Sequence, residues 1–268
     1  MAETREVNIG DLRIAYERAG DGPPLVLLHG MFGCDSRVWR RQLDALSDEF
    51  TVVAWDAPGC GRSSNPPETF RLPDYADTLA AFVDALRLAR PHVLGLSFGG
   101  GLALELYRRH PTVPKTLVLA SAYAGWAGSL PAEVVEQRLQ RALREADLPP
   151  DHVVRGYVPG FFTESAPAEL VDEVLAITSE FHPAGWRAMA HAFAGADLRD
   201  VLPRIEVPTL LLYGDADRRS PLNVAEDLHA KIPGSRLVIM PGVAHLSNVE
   251  AAERFNAEVR RFLRSIHE

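Results

Sequence analysis

Six short apolar runs recur along the chain, at Leu25–Leu28, Thr51–Trp55, His92–Leu96, Thr116–Ala120, Thr209–Tyr213 and Arg236–Met240. Runs this short, rich in Val and Leu and bounded by Gly, Pro or Asp, suit strands buried on both faces. Patterns of helical period lie between them. Leu79, Phe82, Val83 and Leu86 form one stripe, Val224, Leu228 and Ile232 a second, and Phe255, Val259, Phe262, Leu263 and Ile266 a third. Amphipathic helices alternating with buried strands restrict the chain to an α/β architecture, a mostly parallel sheet with helices on both faces. Ahead of the first run, Val7–Ile9 and Leu12–Tyr16 flank Gly10-Asp11. Glycine first in a two-residue loop predicts a type II′ hairpin, which adds an antiparallel edge.

The alternation lapses between Trp126 and Arg199. Glu133–Ala146, Ala168–Glu180 and Ala184–Ala194 read as helices with proline-rich joints and no convincing strand. The chain therefore divides into a core of residues 1–125 and 200–268 and a helical insertion of residues 126–199, about 70 residues long.

Composition narrows the function classes. Hydrophobic residues make up 47% of the 268 and charged residues 24%, which excludes an intrinsically disordered chain. A net charge of −8 with no basic tract argues against nucleic-acid binding. Cys34 and Cys60 are the only cysteines, too few for a disulfide scaffold, and free thiols are expected. The first residues lack the apolar stretch of a signal peptide, and no run reaches the length of a membrane span. The expectation is a cytoplasmic protein, monomer or homodimer, without a membrane partner. No dinucleotide fingerprint, phosphate loop, C-x-x-C or H-E-x-x-H is present, so neither cofactor nor metal is expected.

The sharpest motif is Gly95-Leu96-Ser97-Phe98-Gly99. A predicted strand runs into it and a predicted helix out of it, the context of a nucleophile elbow. A serine hydroxyl at neutral pH needs a base, and the base needs an orienting carboxylate. His245, in the loop after the last strand, is the candidate base. Ser247 and Glu250 behind it have the spacing of a capping box. The acid lies in Gly214-Asp215-Ala216-Asp217, after the Thr209–Tyr213 run. One aspartate there braces the turn and the other orients His245, and the residues alone do not choose between them. His29-Gly30-Met31-Phe32-Gly33 follows the first buried run and can turn a backbone N–H toward the serine. With the N–H of Phe98 it would complete an oxyanion hole.

Taken together, His29-Gly30-Met31, Asp56-Ala57-Pro58-Gly59-Cys60-Gly61-Arg62-Ser63, the elbow at Ser97, Gly214-Asp215-Ala216-Asp217 and His245 resemble the α/β-hydrolase fold family over essentially the whole chain. The resemblance implies a mostly parallel eight-stranded sheet and a helical cap domain at residues 126–199. It also implies Asp217 as the acid and the Met31 N–H as an oxyanion donor. Dehalogenase and epoxide hydrolase relatives carry aspartate at the elbow, so Ser97 points to acyl chemistry. Gly95-Leu96-Ser97, Ala244-His245-Leu246-Ser247-Asn248-Val249-Glu250 and Asp197-Leu198-Arg199 are similar to 3-oxoadipate enol-lactonases. Leu246 stands where C–C hydrolases usually have Trp. The implied activity is hydrolysis of a carboxylic ester or lactone of a small, largely apolar substrate through an acyl-enzyme. The alternatives are an enol-lactonase, an acyltransferase or perhydrolase, and a non-catalytic receptor. Phe32, Tyr123, Trp126, Phe161, Phe162 and Trp186 are candidates for the pocket wall. Arg37, Arg155 and Arg187 are candidates for holding a substrate carboxylate.

Overall fold

Each apolar run becomes a strand in the computed structural model, which describes residues 2–31 and 34–266. The strands are β1 (Glu3–Ile9), β2 (Leu12–Ala19), β3 (Pro24–Leu28), β4 (Thr51–Trp55), β5 (His92–Leu96), β6 (Thr116–Ala120), β7 (Thr209–Gly214) and β8 (Arg236–Met240). They form one eight-stranded sheet in the order β1-β2-β4-β3-β5-β6-β7-β8. β1 and β2 pair antiparallel, β2 pairs antiparallel with β4, and all other neighbours are parallel. This is the α/β-hydrolase fold that the resemblance implies. In the β1–β2 turn Gly10 has φ 56° while Asp11 stays out of the positive region, as a type II′ turn requires.

Helices α1 (Arg40–Leu46), α2 (Leu72–Ala85) and α3 (Phe98–Arg109) connect the first strands. Between β6 and β7 come α4 (Trp126–Ser129), α5 (Ala132–Glu145), α6 (Pro150–Val154), α7 (Val158–Phe161), α8 (Ala168–Thr178) and α9 (Pro183–Ala194). The chain closes with α10 (Leu222–Lys231), α11 (Ser247–Glu250) and α12 (Ala252–Arg264). α2 packs on α3, and α1 packs on α11 and α12. All residues of β4, β5, β6 and β7 are buried, which is why their sequences are continuously apolar rather than alternating. No helix of the described residues is long and apolar enough to cross a membrane.

The helical segment from α4 to α9 is anchored on the core by close contact. Gly185, in the first turn of α9, rests on the backbone of Gly59. A Cβ at Gly185 would lie 1.9 Å from the Gly59 carbonyl oxygen. Arg41 on α1 holds Glu173 on α8 through two hydrogen bonds of 3.0 and 2.7 Å, a bidentate geometry that fixes direction as well as distance.

Candidate active site

β5 ends at Leu96 and α3 begins at Phe98, so Ser97 alone makes the turn. Its backbone sits at φ 53°, ψ −112°, a conformation in which a residue with a Cβ is strained. Hydrogen bonds hold it there. The Ser97 N–H donates to the Ala120 carbonyl at 2.8 Å, and the Ser97 carbonyl accepts from Gly100 at 3.0 Å and Gly101 at 3.2 Å. A Cβ at Gly95 would lie 2.1 Å from the Gly99 oxygen, and one at Gly99 would lie 2.1 Å from the Leu28 oxygen. The motif therefore needs both glycines because the turn brings backbone against backbone. Ser97 is 9% exposed, so little of it meets solvent. Its side chain does not cap α3.

His245 and Asp217 form a buried pair. His245 Nδ1 is 2.8 Å from Asp217 Oδ2. Asp217 Oδ1 accepts the N–H groups of Arg219 and Ser220 at 2.8 and 2.9 Å. Burial pushes the Asp217 carboxyl upward, but the His245 imidazole, the Ser220 N–H and the Ser121 hydroxyl outweigh it and hold the carboxyl below its usual value. Because an ionised carboxylate only accepts, the ring nitrogen facing it, Nδ1, carries a proton. Asp215 has the other role. It is exposed, and its Oδ1 accepts the Gly242 N–H at 2.7 Å, bracing the loop after β7 against the loop after β8. Among the described residues the Ser97 hydroxyl makes no hydrogen bond to His245.

Several neighbours of His245 carry no sequence signal of their own. Ser121, with φ 45°, donates its hydroxyl to the His245 carbonyl at 3.3 Å. The Phe161 ring lies parallel to the imidazole, with centroids 6.3 Å apart and planes within 14°. The Leu246 N–H donates to the Phe161 carbonyl at 3.0 Å. Glu250 departs from the expected capping box. Its carboxylate accepts the Ala244 N–H at 2.7 Å and the Thr163 N–H at 2.8 Å. The N-cap of α11 is Leu246, and the buried Ser247 hydroxyl has no hydrogen-bond partner. The box fails because Glu250 reaches farther, to backbone donors on two other segments.

The loop after β3 passes beside Ser97. A Cβ at Gly30 would stand 3.7 Å from Ser97 Cβ. His29 clamps this loop. Its Nδ1–H donates to the Gly30 carbonyl at 2.6 Å, and its Nε2 accepts the Ala57 N–H at 3.0 Å. Burial pulls the His29 pKa down, which keeps the ring neutral and the Nε2 acceptor intact. Met31 is buried directly after Gly30. Phe98 opens α3, where an N–H has no partner within the helix. Phe32, a candidate for the pocket, lies outside the described residues.

The other pocket candidates take different places. Phe161 joins His245 as described. Phe162 is buried and lines a cleft of about 550 Å³ beside Ala216 and Arg218. Tyr123 is buried against Phe193 and hydrogen-bonds the Arg219 carbonyl. Trp126 packs on the same Phe193. Trp186 donates its indole N–H to the Ala142 carbonyl at 2.9 Å, joining α9 to α5. The three arginines have other places. Arg37 pairs with Asp35 and Glu180 at 2.7 and 2.8 Å, Arg187 pairs with Asp147, and Arg155 is exposed. Two of them already hold a carboxylate of the protein itself. A further arginine, Arg219, packs on two rings of the helical segment. Its guanidinium carbon is 5.1 Å from the Tyr157 ring centroid and 5.2 Å from that of Phe161. Cys34 and Cys60 are both buried and free. Among the described residues no three His, Cys, Asp or Glu side chains form a cluster able to hold a metal ion.

A family model described as the alpha/beta hydrolase family matches residues 25–258. The chain is 30% identical to a putative non-heme chloroperoxidase of Synechocystis sp., over 96% of each chain. It is 25% identical to 3-oxoadipate enol-lactonase 2 of Acinetobacter baylyi, over 95% of this chain and 94% of that one. Among solved structures, a thermophilic esterase from Thermogutta terrifontis, with malate bound, superposes over 100% of both chains with a TM-score of 0.90 and 29% identity.

Proposed function

From the premise that the chain belongs to the alpha/beta hydrolase family, we propose that it is a serine hydrolase of carboxylic esters or lactones. Ser97 is the nucleophile, His245 the base and Asp217 the residue that orients it. The N–H groups of Met31 and Phe98 are the oxyanion donors, and the helical segment of residues 126–199 is the cap over them. The observation that carries this reading is the Ser97 backbone, held at φ 53°. A fold retains strain of this kind where it serves a site.

In the first half-reaction Ser97 Oγ attacks the carbonyl carbon while His245 Nε2 takes its proton. Asp217 keeps Nδ1 protonated and stabilises the imidazolium that forms. Negative charge grows on the carbonyl oxygen and meets the two N–H groups. His245 then gives its proton to the departing alkoxide, leaving the acyl group on Ser97. In the second half-reaction His245 activates water by the same route and frees the acid. An ester and a lactone need the same residues and differ only in whether the leaving alcohol stays tethered to the acyl group.

The test is pre-steady-state hydrolysis of p-nitrophenyl esters from acetate to octanoate, with the native protein beside Ser97→Ala. The expected result is a burst and sustained turnover that the alanine variant loses by about 10³-fold or more. Near-native turnover in the variant would overturn the assignment. A second reading is favoured by the chloroperoxidase relative. Hydrogen peroxide in place of water as acyl acceptor would release a peracid, and peracid formed per ester consumed measures that branch.

A further inference from the structure

Among the described residues, those with positive φ that are not glycine are Arg87, Arg90, Ser97 and Ser121. Ser97 and Ser121 belong to the candidate active site. Arg87 and Arg90, with φ 54° and 45°, stand at the other end of β5. That strand starts at His92 and leads into Ser97, so about 17 Å of extended chain separates the two places.

The end of α2 imposes the first of these conformations. The Arg87 N–H donates to the Asp84 carbonyl at 2.8 Å and the Leu88 N–H to the Val83 carbonyl at 3.0 Å. This closure puts the residue after the helix cap in the left-handed region, where glycine is usual. Arg90 directly precedes Pro91, whose ring narrows the backbone choice further. At either position an arginine is strained where a glycine would not be. Among the described residues neither side chain forms a hydrogen bond or an ion pair, although Asp84 lies three residues before Arg87. At the end of α3, by contrast, Arg109 and His110 share Asp77 at 2.6 and 2.7 Å.

Both arginines line one cleft of about 420 Å³. Val83 and Leu88, which are buried, and Ala80 and Val113, which are half-buried, give it an apolar wall. Asp84 is the one acid of the lining, so two arginines against one aspartate leave a net charge of +1 in a chain of −8. A guanidinium matches a carboxylate through paired N–H donors. The apolar wall suits a hydrocarbon chain, and a single negative charge balances the lining.

We propose that this cleft is a second small-molecule site, separate from Ser97, that binds a carboxylate carrying an aliphatic chain. The head group pairs with Arg87 and Arg90, and the chain lies on Val83, Leu88 and Val113. Strain at both positions is then retained for a ligand. The proposal stands apart from the serine hydrolase reading and does not depend on it.

The experiment is isothermal titration calorimetry with octanoate, 1-octanol and acetate. It uses the native protein, a variant with Arg87→Gly and Arg90→Gly, and a variant with Arg87→Ala and Arg90→Ala. The native protein is expected to bind octanoate about tenfold more tightly than either other probe, and both variants are expected to lose about tenfold in octanoate affinity. Glycine relieves the strain and alanine keeps it, so the glycine variant should have a Tm no lower than the native one. Affinity lost in both variants without a fall in that Tm separates ligand binding from folding. Octanoate binding unchanged in the variants would overturn the proposal, because the ligand would then sit elsewhere. Equal binding of octanol would overturn it as well, leaving only an apolar patch. A lower Tm in the glycine variant would assign the arginines to the end of α2, where cations are favoured, and count against a ligand. The three probes are compared on the native protein alone, so octanoate that binds no better than octanol or acetate overturns the proposal even if a variant fails to fold.

Discussion

Glu250 and Thr163 stand 87 positions apart in the chain, yet one oxygen of Glu250 accepts both the backbone N–H and the hydroxyl of Thr163. Its other oxygen accepts the Ala244 N–H at 2.7 Å. The loop that carries His245 and the segment that follows α7 are therefore held by one carboxylate.

Every partner of Glu250 is a donor, so only an acceptor on both oxygens satisfies them. Replacing Glu250 with Ala should lower stability by about 2 kcal/mol. It should lower kcat/KM by roughly 10- to 100-fold through displacement of His245. Glutamine presents an amide N–H₂ to one of those donors and should fall between the two. Thermal unfolding and ester kinetics on the same preparations check both effects. Glutamine and alanine variants that behave alike would contradict the account.

The two aspartates after β7 should separate cleanly. Asp217→Asn offers His245 Nδ1 a donor, which moves the ring proton to Nε2 and removes the base. A loss of roughly 10³- to 10⁴-fold in kcat is expected. Asp215→Asn only weakens the brace to Gly242 and should stay within about threefold of the native rate, as surface changes usually do. Comparable losses in the two variants would exchange or dissolve the assignment.

Because the His245 pair keeps the Asp217 carboxyl below its usual value, Asp217 stays charged through mildly acidic pH. The stability it contributes is complete above the unfolded carboxyl value of 3.8 and is lost only as the pH falls through the lower folded value. An acid limb in kcat/KM that lies above that value would then belong to the proposed base rather than to the carboxylate. It should be reversible, with unchanged circular dichroism. A limb appearing only near pH 4, together with unfolding, would count against a histidine base.

His29 makes an opposite contribution to ordinary surface histidines. Its folded pKa is lowered by burial from 6.5. The unfolded chain therefore takes up a proton that the folded chain refuses. This stability is present above pH 6.5 and drains away as the pH falls toward the folded value. His29→Asn should flatten the acid-side dependence of unfolding free energy by up to about 1.4 kcal/mol per pH unit. An unchanged slope would show that the ring is protonated in the fold.

Burial pushes the Cys34 thiol up to about 12 and the Cys60 thiol well above its usual value. Neither should react with a thiol reagent at pH 8 in the native protein, and both should react in denaturant. Labelling followed by intact mass decides this. Rapid native labelling of Cys34 alone would reveal an opening of the loop beside Ser97.

Strands and elbow were legible in the chain because their physics is local. β4 to β7 are buried on both faces and so read as unbroken apolar runs. The glycines around Ser97 are dictated by contacts within a few residues and with one neighbouring strand. Choosing between Asp215 and Asp217 by the residues alone was impossible, since both suit a turn. The choice is made by register across β7 and β8, which sets Asp215 beside Gly242 and Asp217 beside His245. Glu250 misled for a similar reason, since its spacing from Ser247 is that of a local cap while its partners are tertiary. Arg219 gave no signal at all. Its place is set by rings 58 and 62 positions earlier in the chain, on α7 and the turn preceding it. α1, α4, α6 and α7 span only four to seven residues, too few to display a period.

The strained backbone of Ser97 sets heat tolerance against chemistry. Ser97→Ala keeps the Cβ and therefore the strain, whereas Ser97→Gly removes both the hydroxyl and the reason for the strain, which is of order 1–3 kcal/mol. A library of this protein sorted for thermal survival alone would thus be drawn toward glycine at position 97, and its most durable members would be inert. Selection for turnover would then be what keeps a side chain at a turn where the fold would do better without it.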